Sequence, residues 1–232
     1  MTAISDWEQI KNGFDFSYLL QLVSGVIPSL ICITLHELSH GLVACKLGDD
    51  TAKRAGRLTL NPLKHLDPIG LLMMLTVHFG YAKPVPVNMN KFKNPKRDMA
   101  ITALAGPASN VLITVVFLIL YGALYRPLEG SRVGAYVLDM LQLTAYISMG
   151  YAVFNMLPVP PLDGSKVVFS LMEDDSYRKL MRYERYGSLL LLALVWSGVL
   201  GRPLSTAIRW CYTQLIPLAQ WANDAVITLF YK

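Results

Sequence analysis

The chain reads as an all-α polytopic membrane protein of four to six membrane segments, with a re-entrant or extended element on its cytoplasmic side. Three observations predict this. The 232 residues are 53% hydrophobic and only 16% charged, with mean hydropathy +0.40, whereas a globular domain carries roughly 25% charged residues. Three stretches hold no charge at all: Phe16 to Leu35, Met99 to Tyr125 and Met140 to Leu162. Each approaches or exceeds the ~20 residues that cross ~30 Å of hydrocarbon. Finally, fifteen of the 21 Lys and Arg fall between Lys46 and Arg97 or between Lys166 and Arg185. The positive-inside rule places both stretches in the cytoplasm. That distribution accounts for the net charge of +5 without nucleic acid, which is not an expected partner.

The elements follow in order. The first dozen residues are polar, with no basic start before a short apolar core, so the first span is expected to serve as the insertion signal. That span, about Phe16 to Cys45, runs from outside to inside, and Pro28 is placed to kink it. Arg57 to Leu60 is expected to form a short strand that stops at Asn61-Pro62. Ile69 to Ala82 is apolar but too short to cross comfortably, and basic residues flank it, so a re-entrant segment is expected. Lys83 to Asn88 is held extended by Pro84 and Pro86. Met99 to Tyr125 crosses outward, Arg126 to Arg132 forms an external loop, and Val133 to Leu157 returns. Pro158 to Arg185 is then cytoplasmic, and Tyr186 to Gly201 is a short outward span. The tail from 203 to 232 is either an interfacial helix or a final span, because Arg209, Pro217 and Asp224 interrupt it. With no repeat or second soluble domain, residues 1–232 are expected to form one domain with its core at about 16–201. Cys32, Cys45 and Cys211 have no metal spacing and read as buried free thiols.

Chemistry concentrates at the end of the first apolar run, in His36-Glu37-Leu38-Ser39-His40. Positions four apart on a helix differ by about 40° around its axis, so both imidazoles can face one zinc ion. Glu37 sits beside them as a candidate general base. Burying a Glu and two His in a membrane helix is costly, which marks them as functional. The site needs a third protein ligand. Asp163 is the leading candidate, in Asn155-Met156-Leu157-Pro158-Val159-Pro160-Pro161-Leu162-Asp163-Gly164. Prolines break the helix there, and broken backbone at membrane depth belongs against protein or a watery cavity. His65 and His78 are rival ligands. Gly106-Pro107-Ala108-Ser109-Asn110 offers small residues for close packing and, in Asn110, an amide that needs partners and can orient a ligand.

These residues together resemble the site-2 protease family of intramembrane zinc metalloproteases. The likeness rests on His36-Glu37-x-x-His40, on Gly106-Pro107-x-x-Asn110 and on Asn155-x-x-Pro158-x-Pro160-Pro161-Leu162-Asp163-Gly164. Leu58-Thr59-Leu60-Asn61-Pro62 and Ala82-Lys83-Pro84-Val85-Pro86-Val87-Asn88 look like its small prokaryotic branch, without room for a PDZ or CBS domain. The resemblance implies that His36, His40 and Asp163 bind one Zn2+, that Glu37 is the base and that Asn155 helps hold the substrate.

The expected function is therefore intramembrane endoproteolysis, cutting a membrane-protein substrate within or near its transmembrane segment. The expected setting is the cell membrane, multi-pass, with the active site towards the cytoplasm and room for a regulatory membrane partner. A catalytically silent zinc-binding scaffold is the alternative, which leaves Glu37 without a purpose. A small transporter predicts internal repeats, and none is present in the sequence.

Overall fold

Three long apolar helices carry the architecture of the computed structural model, which describes residues 16–67, 70 and 83–231. Side chains are described except at 16–23 and 178–185. Helix α1 is Phe16–Lys46, the short α2 is Thr51–Arg54, α3 is Pro95–Leu128 and α4 is Arg132–Asn155. Helices α5, α6 and α7 are Asp163–Ser170, Asp174–Trp196 and Gly201–Phe230. At ~1.5 Å per residue, α1, α3 and α4 are each longer than the ~30 Å hydrocarbon layer. Each is also apolar enough to cross it, and α6 with α7, bent by 90° across a short break, would make a fourth crossing. Among the described residues there is no strand.

Helix α3 is the hub, packing against α1, α4, α5 and α7. Lipid offers no hydrophobic drive between apolar helices, so close approach and polar contacts must hold them together. Both are present. A Cβ at Gly122 would lie 2.7 Å from the Ala219 carbonyl carbon, so α3 and α7 touch backbone to backbone. Leu118, Ala145, Met149, Ala152, Tyr212 and Ala219 form the buried cluster where α3, α4 and α7 meet. Thr114 Oγ1 donates to Ala145 O at 3.1 Å, and Ser148 Oγ donates to Asn110 O at 2.8 Å, both between α3 and α4. Such contacts contribute about 0.6 kcal/mol each in a membrane.

The connections differ from the expectations in several places. Residues 57–60 form an irregular turn rather than a strand, because Leu58 turns inward to pack at Gly41. The expected external loop shrinks to residues 129–131, since α3 continues to Leu128 and Ser131 caps α4 by accepting from Gly134 N. The expected cytoplasmic stretch 158–185 holds α5 and the first half of α6. The tail is one helix, α7, whose buried face (Tyr212, Ala219, Ala222) packs against the bundle. The expected re-entrant segment 69–82, with His78, lies outside the described residues except for Gly70.

Candidate metal centre and its cavity

The site begins in the last third of α1. His36 and His40 stand one turn apart with ring centroids 4.5 Å apart and planes nearly perpendicular. Asp163, the first residue of α5, reaches them from the proline-broken loop. Gly164 makes this reach feasible: a Cβ there would lie 2.7 Å from Leu157 O, so only glycine lets α5 start against that backbone. His36 Nε2 and His40 Nε2 are 3.0 Å apart, and each is 3.1 Å from Asp163 Oδ2. The three residues are 7%, 9% and 7% exposed. Burial works to raise the Asp163 carboxyl, but hydrogen bonds and charge from both imidazoles hold it well below the usual carboxylate range.

This triangle fits zinc. Two imidazole nitrogens and one carboxylate oxygen are a catalytic zinc donor set that leaves a fourth position open. Edges of 3.0–3.1 Å are close to the ~3.3 Å separating two atoms bound ~2.0–2.1 Å from one tetrahedral centre. Gly106 on α3 supplies a second argument. A Cβ there would fall 2.5 Å from His36 Cε1 and 2.6 Å from His36 Nε2, filling the space beside the ligand atoms. Among the described residues, this is the group of His, Cys, Asp or Glu side chains arranged to hold a metal.

Helix α3 orients the rings, and α4 braces it through Ser148. His40 Nδ1 lies 2.7 Å from Thr102 O, and His36 Nδ1 lies 3.0 Å from the Asn110 side-chain nitrogen. Asn110 is fully buried, and its backbone oxygen accepts from both Thr114 and Ser148. Ligation through Nε2 leaves the proton on Nδ1. His40 then donates to Thr102 O, and the Asn110 amide, turned over about its terminal bond, offers oxygen to His36.

Glu37 follows His36 directly on α1. Its Oε2 accepts from Val85 N at 2.8 Å, within the extended segment Lys83–Asn88, hereafter the strap. Beneath the strap lies a cavity of about 620 Å³, largely apolar, whose wall includes His36, Glu37, His40, Asp163, Asn155 and Lys166. Asn155 donates through Nδ2 to Tyr151 O at 3.0 Å and is not part of the metal group. His65 is buried elsewhere, with Nε2 2.9 Å from Thr59 O, and is not part of the metal group. His78 lies outside the described residues. The thiols of Cys32, Cys45 and Cys211 are free, and Cys32 is fully buried against Thr144 O.

Sequence reasoning missed three contributors. Thr102 acts through its carbonyl and Val85 through its amide, and backbone groups carry no residue signature. Lys166 follows Asp163 by three positions on α5, a spacing that puts both on one face, so that signal was present.

Comparison with known proteins gives the family. The profile described as peptidase family M50 matches residues 123–197, which include Asn155 and Asp163. YwhC of Bacillus subtilis, named as a candidate zinc metalloprotease, is 34% identical over 207 residues, covering 88% of this chain and 90% of its own. Rip2 of Mycolicibacterium smegmatis, named likewise, is 29% identical over 201 residues, covering 84% of this chain and 75% of its own. RasP of Bacillus licheniformis, named a zinc metalloprotease, is 24% identical over 165 residues, covering 67% of this chain and 35% of its own. No solved structure matches the chain. With a donor triangle suited to zinc, a carboxylate beside it and helices suited to a bilayer, the chain belongs to peptidase family M50, the site-2 proteases, and is a membrane zinc metalloprotease.

Proposed function

We propose that His36, His40 and Asp163 hold one catalytic zinc, that Glu37 is the general base, and that the enzyme cuts membrane proteins within or near a transmembrane segment from the cytoplasmic side. The observation that carries this reading is the buried triangle opening, beside Glu37, into an apolar cavity. The sidedness is supported by charge. Ten Lys and Arg lie between the end of α1 and the first turn of α3, at the end of the bundle nearer the triangle.

When bound, zinc supplies a Lewis acid that polarises a carbonyl and makes water nucleophilic near neutral pH. The remaining chemistry belongs to the chain's own residues. Glu37 Oε2 is engaged by Val85 N, so Oε1 is the atom free to take a proton from water and return it to the departing amine. Asn155 spends its amide N–H on Tyr151 O, leaving Oδ1 to accept from a substrate backbone N–H. A helical substrate hides its carbonyls in its own hydrogen bonds and must unwind before it reaches the triangle. The apolar cavity walls suit a transmembrane side chain at the cut. The alternative, a silent zinc scaffold, has no use for a carboxylate held at the mouth of such a cavity.

Membrane proteomics of cells carrying wild type or Glu37→Gln tests the proposal. A single-span protein should accumulate uncleaved in the variant, and its wild-type cut site should map within or near the span. Identical membrane proteomes, or cut sites only in soluble domains, would overturn it.

A further inference from the structure

The strap is irregular backbone, yet it is anchored at three points. Lys83 N donates to His65 O at 2.9 Å, and Lys83 O accepts from Arg57 Nη2 at 2.6 Å. In the middle, Val85 N donates to Glu37 Oε2. At the far end, Asn88 N donates to Asp49 Oδ2 at 2.6 Å. Asp49 is 0% exposed, and its other oxygen, Oδ1, accepts from Thr51 N at 3.0 Å and from the Thr51 hydroxyl. The two Asp49 oxygens thus serve different segments. One fixes the turn after α1, and the other ties the strap to that turn.

Packing keeps the strap on α1. Gly41 lies one helical turn beyond Glu37, and a Cβ there would meet Leu58 Cδ2 at 2.6 Å and Val85 Cγ1 at 3.2 Å. The strap therefore crosses α1 directly above the face that bears Glu37. A glutamate side chain has three rotatable bonds before its carboxylate, and an amide donor at a fixed place removes much of that freedom. The donor is fixed only if the strap is.

We propose that Asp49 is a positioning residue for the Glu37 carboxylate, acting through the strap and the Val85 amide. This rests on the reading of Glu37 as the base. Asp49 holds Asn88, the strap then holds Val85 N at its distance from Glu37, and Oε1 is left aimed into the cavity. Arg57 does the same from the other end, through Lys83 O.

The test uses the purified full chain in lipid vesicles with a single-span fluorogenic peptide that wild type cleaves. Val85→Pro removes the amide donor yet suits extended backbone, whereas Val85→Ala keeps the donor. Val85→Pro should lower kcat about 30-fold or more below Val85→Ala, and Asp49→Ala should lower it about 10-fold below wild type, with KM and one zinc per chain retained. The Asp49→Ala, Val85→Pro double variant should fall less than about twofold below Val85→Pro, because both changes act on one contact. In Asp49→Ala, amide exchange should accelerate at Lys83, Val85, Val87 and Asn88, the strap residues that carry an N–H, and not in α3 or α4. Equal kcat for the two Val85 variants, additive losses in the double variant, or wild-type kcat in Asp49→Ala would each overturn the proposal. Where Val85→Pro does not fold, kcat and strap exchange in Asp49→Ala decide. A Glu37→Gln arm separates the two readings: activity there defeats Glu37 as base, whereas an inactive Glu37→Gln with wild-type Asp49→Ala defeats only the positioning role.

Discussion

The His36–His40–Asp163 triangle and the strap beside it are built from opposite materials. The triangle is made of side chains on helices, with a neighbour locking each imidazole: Thr102 O holds His40 and Asn110 holds His36, and Gly106 leaves the space beside them. The strap is made of backbone without regular structure, and side chains hold it: Glu37, Asp49 and Arg57. In the triangle, a helical scaffold positions chemistry. In the strap, chemistry positions backbone. A site divided this way fixes its metal ligands through helices and its neighbouring carboxylate through an anchored loop.

Four substitutions break or sharpen that contrast. The largest effect is expected for Asp163→Ala, which removes the one carboxylate of the triangle: zinc should fall from one per chain to near zero by elemental analysis, and cleavage should vanish. Next comes Gly106→Ala, whose methyl would enter the ligand space. It should also abolish zinc binding while α1, α3 and α4 still insert, as judged by membrane extraction and circular dichroism. Asn110→Ala should weaken zinc about 10- to 100-fold, the usual cost of losing a partner behind a ligating His, in chelator competition. None of these should change amide exchange in the strap.

The smallest effect belongs to the strap. Burial works to raise the Asp49 carboxyl, but the Thr51 hydroxyl, the Asn88 and Thr51 amides and Lys91 bring it below its ordinary value of 3.8. A carboxylate with a lowered folded-state pKa contributes stability that is present above the unfolded value and lost as pH falls through the folded one. Protection of the Lys83, Val85 and Asn88 amides should therefore hold down to about the ordinary carboxylate value and fade below it, and Asp49→Asn should remove that step. The triangle's contrast with the strap is thus also a contrast in what each one's variants disturb: metal content for one, local exchange for the other.

The same division explains how much was legible in the sequence. The spans were readable because hydrocarbon demands long uncharged runs, and α1, α3 and α4 match the three in the chain. His36, His40 and Asp163 were readable because their side chains can ligate and their segments end on one side. Asn110 signalled itself as an amide in an apolar helix, and its place behind His36 is one such amides seek. The 57–60 stretch misled because alternating apolar residues suit a strand, whereas Leu58 instead packs at Gly41. The donor to Glu37 was hidden altogether: Val85 contributes an N–H that any residue but proline possesses. The bend between α6 and α7 was foreseen only as the end of a short span near Gly201, since nothing in Ser197 to Leu200 specifies an angle of 90°.

The central claim is that Glu37 does the proton chemistry beside a metal it does not bind. Purified wild type and Glu37→Gln, each reconstituted in vesicles with a single-span peptide, test it when zinc content and cleavage are measured on the same samples. One zinc per chain in both proteins, with cleavage only in wild type, is the predicted result. Cleavage by zinc-loaded Glu37→Gln at the wild-type rate would contradict the account.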